Sequence, residues 1–205
     1  MSKTKFKSVE EFSVKTLEVG GLGAALQALR LPFGKEARSC VTFHMSSYPG
    51  TTEMREYAGS IGYAINIIPE KKDFKLISTL VKRGDEHAKV LRGVMVWCEI
   101  NAPRYLHVEI DTYRVGCERL SSESTMHIEG QGMSEEELLE MKENLPESHM
   151  QKRIWMFSYQ TLRRIYFQRR NHRLPQWRKF CEWIETLPYA KELITITKDD
   201  DADTN

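Results

Sequence analysis

Apolar residues recur every three or four positions along two stretches in the first half of the chain, a spacing that predicts amphipathic helices. The first stretch covers residues 22–31 and is expected to end at Pro32, because proline cannot continue a helix. The second covers residues 73–83, where Asp73 is able to cap the first turn and Gly84 to end the last. Both patterns predict helices that lay one face against a core.

Short runs rich in β-branched residues predict strands over residues 41–43 and 64–68. Residues 94–100 form a nearly continuous apolar run, which is typical of a buried strand. Pro103 then suits the first turn of a helix, predicted over residues 103–114. Alternating helices and short strands predict an α/β fold of the α+β type, with helices wrapped around a small central sheet.

The second half of the chain carries two helix-start signals and one long apolar stripe. Ser134, followed three residues later by Glu137, is a capping-box pattern. Pro175 suits the first turn of a last helix. Between these signals, apolar positions spread over residues 150–170 predict the longest helix of the chain.

Composition narrows the class of protein. The chain has 205 residues, of which 40% are hydrophobic, and is predicted to form one domain over residues 1–198 with an acidic, disordered tail over residues 199–205. A net charge of +1 argues against binding of nucleic acid or membrane by the whole surface. No segment approaches the ~20 apolar residues of a spanning helix, and the cysteines lack zinc-site spacing. We expect a cytoplasmic protein with reduced thiols and no metal site.

Two neighbouring segments carry candidate chemistry. On a helix over residues 103–114, His107, Asp111 and Arg114 fall at i, i+4 and i+7, and therefore share one face. The hydroxyl-rich residues 121–125 follow, and such hydroxyls and amides are able to hold a phosphate. An exposed ion pair beside an ordinary polar loop is the alternative.

A third candidate is the basic segment over residues 150–180, in which arginines alternate with aromatic residues. Guanidinium groups bind phosphates and aromatic rings stack on bases or a flavin. If the arginines meet the hydroxyl-rich residues 121–125, they form a nucleotide pocket; an open basic stripe fits nucleic acid instead. The alternative is that the rings belong to the core and the arginines to a solvated face. The basic residues are Arg163, Arg164, Arg169, Arg170 and Arg173, with Lys152 and Arg153 before them and Arg178 and Lys179 after them.

Taken in order, these residues resemble the family of flavin-dependent thymidylate synthases (ThyX). In that family a strand ends in an Ala-Pro step, a helix finishes in an Arg-His-Arg triplet, and a loop ends in Ser-x-Arg-Tyr. Here residues 99–103 resemble the strand end, residues 112–114 stand at the triplet, and residues 122–127 resemble the loop end. Residues 73–87 are similar to the family's helix and Gly-His turn, and residues 158–177 to its long helix.

The resemblance implies a ThyX-like fold and a homotetramer with sites between subunits. It implies FAD as cofactor and dUMP as the bound nucleotide, with a reduced nicotinamide and a folate as further reactants. In such enzymes the flavin and the substrate carry most of the chemistry while protein groups position them. By position, Arg114 is expected to contact the flavin or the nucleotide, and His87 the flavin.

The same resemblance assigns the substrate contacts. Arg114 again, together with a set of hydroxyl residues, is expected to hold the nucleotide. The arginine that polarises the uracil ring is either Arg169, by alignment on Leu162, or Arg170, by alignment on residues 176–177. The hydroxyl residues expected at the phosphate are Ser122, Ser124 and Thr125.

Departures from the family pattern keep the function open. Thr112 and Tyr113 replace the first two residues of the triplet, residues 126–127 replace the Arg-Tyr pair, and residues 84–89 replace the flavin loop. Three hypotheses follow: a flavin-dependent enzyme that methylates or otherwise modifies dUMP, a non-catalytic nucleotide-binding regulator or scavenger of phage type, and, less favoured, a nucleic-acid- or protein-binding module. Fold alone does not decide between them.

Overall fold

The computed structural model of the protein describes residues 6–34, 40–42, 66–68 and 71–197. A four-stranded, fully antiparallel sheet lies at its centre, with the strand order β1-β4-β6-β5. A separate two-stranded ribbon pairs β2 with β3. The strands are β1 Ser13–Gly20, β2 Cys40–Thr42, β3 Asn66–Ile68, β4 Met95–Pro103, β5 Cys117–Ser122 and β6 Met150–Ser158.

Helices surround this sheet, so the architecture is the mixed α/β fold that the sequence predicts, with a small sheet wrapped by helices. Within the described ranges, none of them has both the length and the apolar character that a bilayer crossing needs. The helices are α1 Lys7–Glu10, α2 Leu22–Arg30, α3 Lys71–Arg83, α4 Arg104–Ile110, α5 Thr125–Ile128, α6 Glu135–Glu143, α7 Tyr159–Arg169, α8 Pro175–Glu185 and α9 Ala190–Leu193, with short 3-10 turns at Leu31–Phe33 and Lys89–Arg92.

The core lies on one face of the sheet. Strand β4 alternates, so that Cys98 and every second residue around it are buried, as expected for a strand with one covered face. On the neighbouring β6, Trp155 and Phe157 point to the same side and stack on each other. Helix α8 covers them with Trp177 and Phe180, whose rings meet edge to face. Burial of these large rings supplies much of the driving force for folding.

Several predicted elements are confirmed. The helices expected over residues 22–31 and 73–83 are α2 and α3, and the expected last helix is α8, which begins at Pro175. The capping box is formed, because Glu137 N–H donates to Ser134 Oγ (3.3 Å) and Ser134 N–H donates to the Glu137 carboxylate (2.7 Å). The predicted strand over residues 94–100 is β4. The expected acidic tail over residues 199–205 lies outside the described residues.

The predicted helix over residues 150–170 is wrong. The chain forms β6 over the first nine residues, and α7 begins only at Tyr159, after Ser158 caps it by accepting from the N–H of Thr161 (3.2 Å). The buried residues Trp155 and Phe157 repeat every second position, which is the period of a strand. Because β6 pairs with β4 on one side and β5 on the other, it is a central strand of the sheet.

Two further predictions need correction, one for the residues just before β5 and one for the residues at its end. The helix expected over residues 103–114 ends at Ile110, and residues 111–116 form a turn. The hydroxyl-rich residues 121–125 are not one loop. They comprise the end of strand β5 and, after Glu123, the N-cap and first residue of α5. Pairing with β6 stabilises β5 as an edge strand, a tertiary effect that local propensity does not show.

Candidate functional site

A tight turn over residues 111–116 places candidate residues against the first turns of α7. Gly116 has a φ of +72°, a left-handed conformation that favours glycine. Its carbonyl accepts from the N–H of Ser158 (2.7 Å), and the carbonyl of Val115 accepts from the hydroxyl of Thr161 (2.6 Å). These two bonds fix the turn on α7 and hold the residues just before Val115 beside that helix.

The turn and α7 enclose a cleft of about 410 Å³. This volume lies near the lower end of the roughly 300–1,000 Å³ that small-molecule sites span. Three arginines reach the cleft, so that it offers guanidinium groups to an anion. Its lining residues are Thr112, Tyr113, Arg114, Val115, Thr161, Arg164, Gln168 and Arg169.

Arg169 is held by several groups of its own chain. Its Nε donates to the hydroxyl of Tyr113 (2.8 Å), its guanidinium lies 3.6 Å from the Glu109 carboxylate, and its Cζ sits 4.7 Å from the centre of the Trp177 ring. The indole N–H of Trp177 also donates to Glu109 (2.6 Å). The hydroxyl of Tyr113 in turn donates to Gln168 (3.0 Å). These contacts neutralise and orient Arg169 before any ligand binds.

Arg114 and Arg164 are less engaged. Arg164 Nε lies 3.3 Å from the Asp85 carboxylate, whereas exposed Arg114 makes no ion pair with any residue in the described ranges. Three arginines therefore face two carboxylates, those of Asp85 and Glu109, which leaves about one positive charge at the cleft. That balance favours a bound anion.

The structure distinguishes Arg169 from Arg170, the two arginines between which the sequence does not decide. Arg169 lines the cleft, whereas Arg170 is exposed and lies over the rings of Tyr166 and Phe167, at 5.9 and 5.1 Å. His87, expected at a flavin, lies exposed in the turn after α3, does not line the cleft, and has Nε2 3.8 Å from a Glu86 carboxylate oxygen. Whether any of these residues contacts a ligand stays a prediction.

The residues expected at a phosphate lie elsewhere. Ser122 is exposed at the far end of β5, opposite Arg153 of β6. Ser124 caps α5 and its Oγ lies 2.9 Å from Nδ1 of His127. Thr125 is buried and its hydroxyl accepts from the ammonium of Lys142. Thr125 is thus already bonded within the chain.

The arginines that line the cleft do not meet these hydroxyl residues within one chain, and of the basic segment over residues 150–180 it is Arg153 that lies opposite Ser122. Strand β5 separates them, since Cys117 at its start pairs with Phe157 and Ser122 at its end pairs with Arg153. Five residue steps along a strand span about 17 Å, at ~3.4 Å per residue. The cleft of a single chain therefore relies on its arginines.

The predicted shared face of His107, Asp111 and Arg114 is wrong, because α4 ends before Asp111. His107 is fully buried, and its Nε2–H donates to the carbonyl of Gln151 (2.9 Å). Asp111 caps the helix and pairs with Arg119 (3.2 Å). Only Arg114 reaches the cleft.

Buried His107 predicts a pH-dependent stability. Burial lowers the pKa of His107 from 6.5 to about 4; the Gln151 hydrogen bond opposes this shift, and Arg153 and Arg119 add to it. Between these two pKa values the unfolded chain binds a proton that the native protein excludes, so stability falls as pH falls. We expect His107 to lower the free energy of unfolding by about 2 kcal/mol between pH 7 and pH 5. Chemical denaturation at both pH values measures it.

The control for this prediction is His107→Leu, which removes the titrating group and keeps an apolar side chain in place. This variant is less stable at pH 7 because it loses the bond to Gln151, but its stability should change less between pH 7 and pH 5 than that of the unaltered protein. An equal change in both proteins would show that His107 does not titrate as described.

Sequence reasoning missed two carboxylates of the site, Glu109 and Asp85. Glu109 contacts Trp177, which is 68 positions away, and Asp85 contacts Arg164, which is 79 positions away. No local spacing marks such partners. The sequence feature that pointed to the site is the departure from the family triplet at residues 112–114, because Tyr113 at its centre is the residue that contacts Arg169.

Comparison with known proteins places the fold in one class. No family model and no curated protein matches the chain. The fold is ThyX-like, that of the flavin-dependent thymidylate synthases. The chain is similar to ThyX from Helicobacter pylori complexed with FAD and dUMP, with a TM-score of 0.57 and 14% identity over 89% of this chain and 98% of that one. A second structure of that protein with FAD and dUMP gives the same TM-score and identity, over 90% and 97% of the two chains.

The described residues fit FAD only in part. The cleft of about 410 Å³ carries one unpaired guanidinium, that of Arg114, and its other two arginines already have carboxylate partners. Such a site suits one phosphate and one ring system of a mononucleotide. A dinucleotide cofactor has two phosphates and two ring systems and would extend beyond these residues.

Proposed function

We propose that the protein binds a pyrimidine mononucleotide, dUMP or a related phosphomonoester, in the cleft between the turn over residues 111–116 and α7. The observation that carries this proposal is the guanidinium of Arg114, which has no ion-pair partner among the described residues and lines, with Arg164, a cleft of mononucleotide size. Guanidinium groups bind phosphate oxygens through paired, charge-assisted hydrogen bonds. In this proposal Arg114 is the principal phosphate ligand.

The structural comparison supports the ligand class. The ThyX from Helicobacter pylori with a similar fold is complexed with dUMP and FAD. A nucleotide is therefore the ligand that the fold makes most reasonable, and the charge of the cleft agrees with it. The low identity of 14% leaves the chemistry to the residues of this chain.

The residues of this cleft favour, as the first candidate, a protein that binds a nucleotide without catalysing a reaction. Glu109 and Tyr113 hold Arg169 through its Nη1 and Nε, so its charge is already partly neutralised and its orientation is fixed before a uracil ring binds. A nucleotide-binding regulator or scavenger needs only the phosphate contact and a ring pocket. The second candidate is a flavin-dependent enzyme acting on dUMP, which the FAD in the similar structures favours.

A homo-oligomer, by resemblance a tetramer, belongs to the same proposal. Ser122 lies about 17 Å, by strand length, from Cys117 at the start of β5, which follows the turn that carries Arg114. A neighbouring subunit could bring its serines to the cleft and complete the phosphate site. Analytical ultracentrifugation with and without dUMP measures this, and a monomer under both conditions would contradict it.

A thermal-shift series and an absorbance spectrum test the proposed function. We expect dUMP at about 100 Kd to stabilise the protein by about 2.7 kcal/mol, which raises the Tm by about 5–10 °C. Deoxyuridine, which lacks the phosphate, should have little effect. Protein mixed with FAD and dialysed should keep no flavin band in the visible spectrum.

The outcomes separate the candidates. A retained flavin band would favour the flavin-dependent enzyme over the non-catalytic protein. If no nucleotide raises the Tm, the binding proposal is wrong. A Tm that rises equally with dUMP and deoxyuridine would show that the arginines do not recognise the phosphate.

A further inference from the structure

The carboxylate of Asp85 contacts an arginine that lines the cleft. The turn that carries it follows α3 and is fixed by Gln160, whose amide donates to the carbonyl of Asp85 (3.0 Å) and accepts from Nε of Arg92 (2.8 Å). The backbone of Asp85 is therefore held in place. Its side chain reaches Arg164, one of the arginines that line the cleft, with Oδ2 3.3 Å from Nε.

The contact between Asp85 and Arg164 is poorly aligned. Although the two groups lie at ion-pair distance, the buried Nε–H of Arg164 makes no hydrogen bond with the residues that the structure describes. The side chains are 49% and 39% exposed, and pairs this exposed contribute little to stability. An anion that accepts from this N–H with good geometry would bind Arg164 better than Asp85 does.

We propose that Asp85 is a built-in competitor for the ligand anion: a phosphomonoester displaces its carboxylate from Arg164, and the competition lowers the affinity of the site. This inference rests on the proposed nucleotide site. A phosphomonoester carries a charge of about −1.5 to −2 at pH 7, whereas a phosphodiester carries only one. The more highly charged group gains more from Arg164 and therefore displaces the carboxylate more easily.

Arg163, the other cation close to Asp85, does not take part in this exchange. Its guanidinium donates to the carbonyls of Ile194 (2.5 Å) and Ile196 (2.7 Å) and lies over the ring of Phe167. Burial lowers the pKa of Arg163 and the charge of Asp85 opposes that shift. Arg163 therefore ties α7 to the segment after α9, and of these two adjacent arginines Arg164 is the one left for the ligand.

Calorimetric titration of dUMP into Asp85→Asn tests the proposal. The asparagine keeps the size of the side chain and the backbone bond to Gln160 while removing the charge. We expect binding about tenfold tighter than in the unaltered protein, equivalent to about 1.4 kcal/mol. The affinity for the phosphodiester dinucleotide UpU should rise by no more than the same factor, because its single charge gains less from the freed Arg164.

Glu86→Gln is the matched control. It removes the same charge from the same turn, but the Glu86 carboxylate is 72% exposed, pairs only weakly with His87 (3.8 Å) and does not touch the cleft. Its affinity for dUMP should stay within about twofold of that of the unaltered protein, a change of about 0.4 kcal/mol. If Glu86→Gln gains as much affinity for dUMP as Asp85→Asn does, the gain comes from long-range charge, and the proposed competition is wrong.

The remaining outcomes separate this inference from the proposed function. If the unaltered protein binds dUMP and Asp85→Asn binds with the same or lower affinity, the competition is wrong and the nucleotide site stands. If only Asp85→Asn binds, the carboxylate blocks the site and the competition is supported. If neither protein binds dUMP, the proposed function fails and the inference fails with it.

Discussion

Replacement of Gly116 by alanine is expected to lower the free energy of unfolding by about 3 kcal/mol. The φ of +72° disfavours any residue with a Cβ, and this strain costs on the order of 1–3 kcal/mol. A Cβ at this position would also lie 2.5 Å from Ser158 Oγ and 2.7 Å from Thr161 Oγ1. Overpacking of this kind costs a further ~1–3 kcal/mol. Thermal denaturation should show a Tm about 6–12 °C lower.

Gly132→Ala separates the cost of backbone strain from the cost of overpacking. Gly132 has a similar φ of +84°, but no atom lies within 4 Å of the Cβ that it would gain. Its replacement should therefore cost only the backbone strain, about 1 kcal/mol. Equal losses at Gly116 and Gly132 would show that the turn over residues 111–116 does not pack on the start of α7 as described.

Replacement of Arg169 by alanine is the second large effect, an expected loss of about 3 kcal/mol in the free energy of unfolding. The change leaves the partly buried Glu109 without its cation, and removal of one partner of such a pair is costly. It also removes the guanidinium from the face of Trp177 and the donor to Tyr113. Chemical denaturation measures the loss.

Arg170→Ala is the control for this prediction. Arg170 is adjacent and exposed and lies over the rings of Tyr166 and Phe167, so its loss should cost about 0.5–1 kcal/mol. If both variants are equally stable, Arg169 is not held by Glu109 and Tyr113. It would then be free for a ligand, and the case against turnover would lose its main support.

The sequence predicts the elements whose signals are local. Proline and the capping residues mark the starts of α6 and α8, and the apolar run over residues 94–100 marks β4, in which every second residue is buried. These signals come from backbone chemistry within a few residues. They hold in any tertiary context, which is why the fold class follows from them.

The sequence does not predict β6 and β5, and the reason is physical. In β6 the apolar residues Ile154 and Phe157 happen to stand three apart, as on a helix, while the alternation of Trp155 and Phe157 is short. Strand β5 has few apolar residues and exists because it pairs with β6. Because the sequence predicts a helix over residues 150–170 in place of β6, it also fails to predict β5.

The candidate site was predicted in part. Arg114 and Arg169 were named from the family resemblance, and both line the cleft. The carboxylates beside the cleft were not predicted, since Asp85 meets Arg164 and Glu109 meets Arg169 only through tertiary packing around α7. The charge that the cleft offers a ligand depends on those partners, so the sequence could not supply it.

The central claim is that the cleft binds a nucleotide phosphate through Arg114, and calorimetric titration of dUMP into the protein and into Arg114→Gln tests it most directly. Arg114 is exposed and has no ion-pair partner in the described part of the chain, so the variant should keep its Tm. Loss of one charge-assisted contact should weaken binding by at least about tenfold, or about 1.4 kcal/mol. Equal affinity of the two proteins for dUMP would contradict the account.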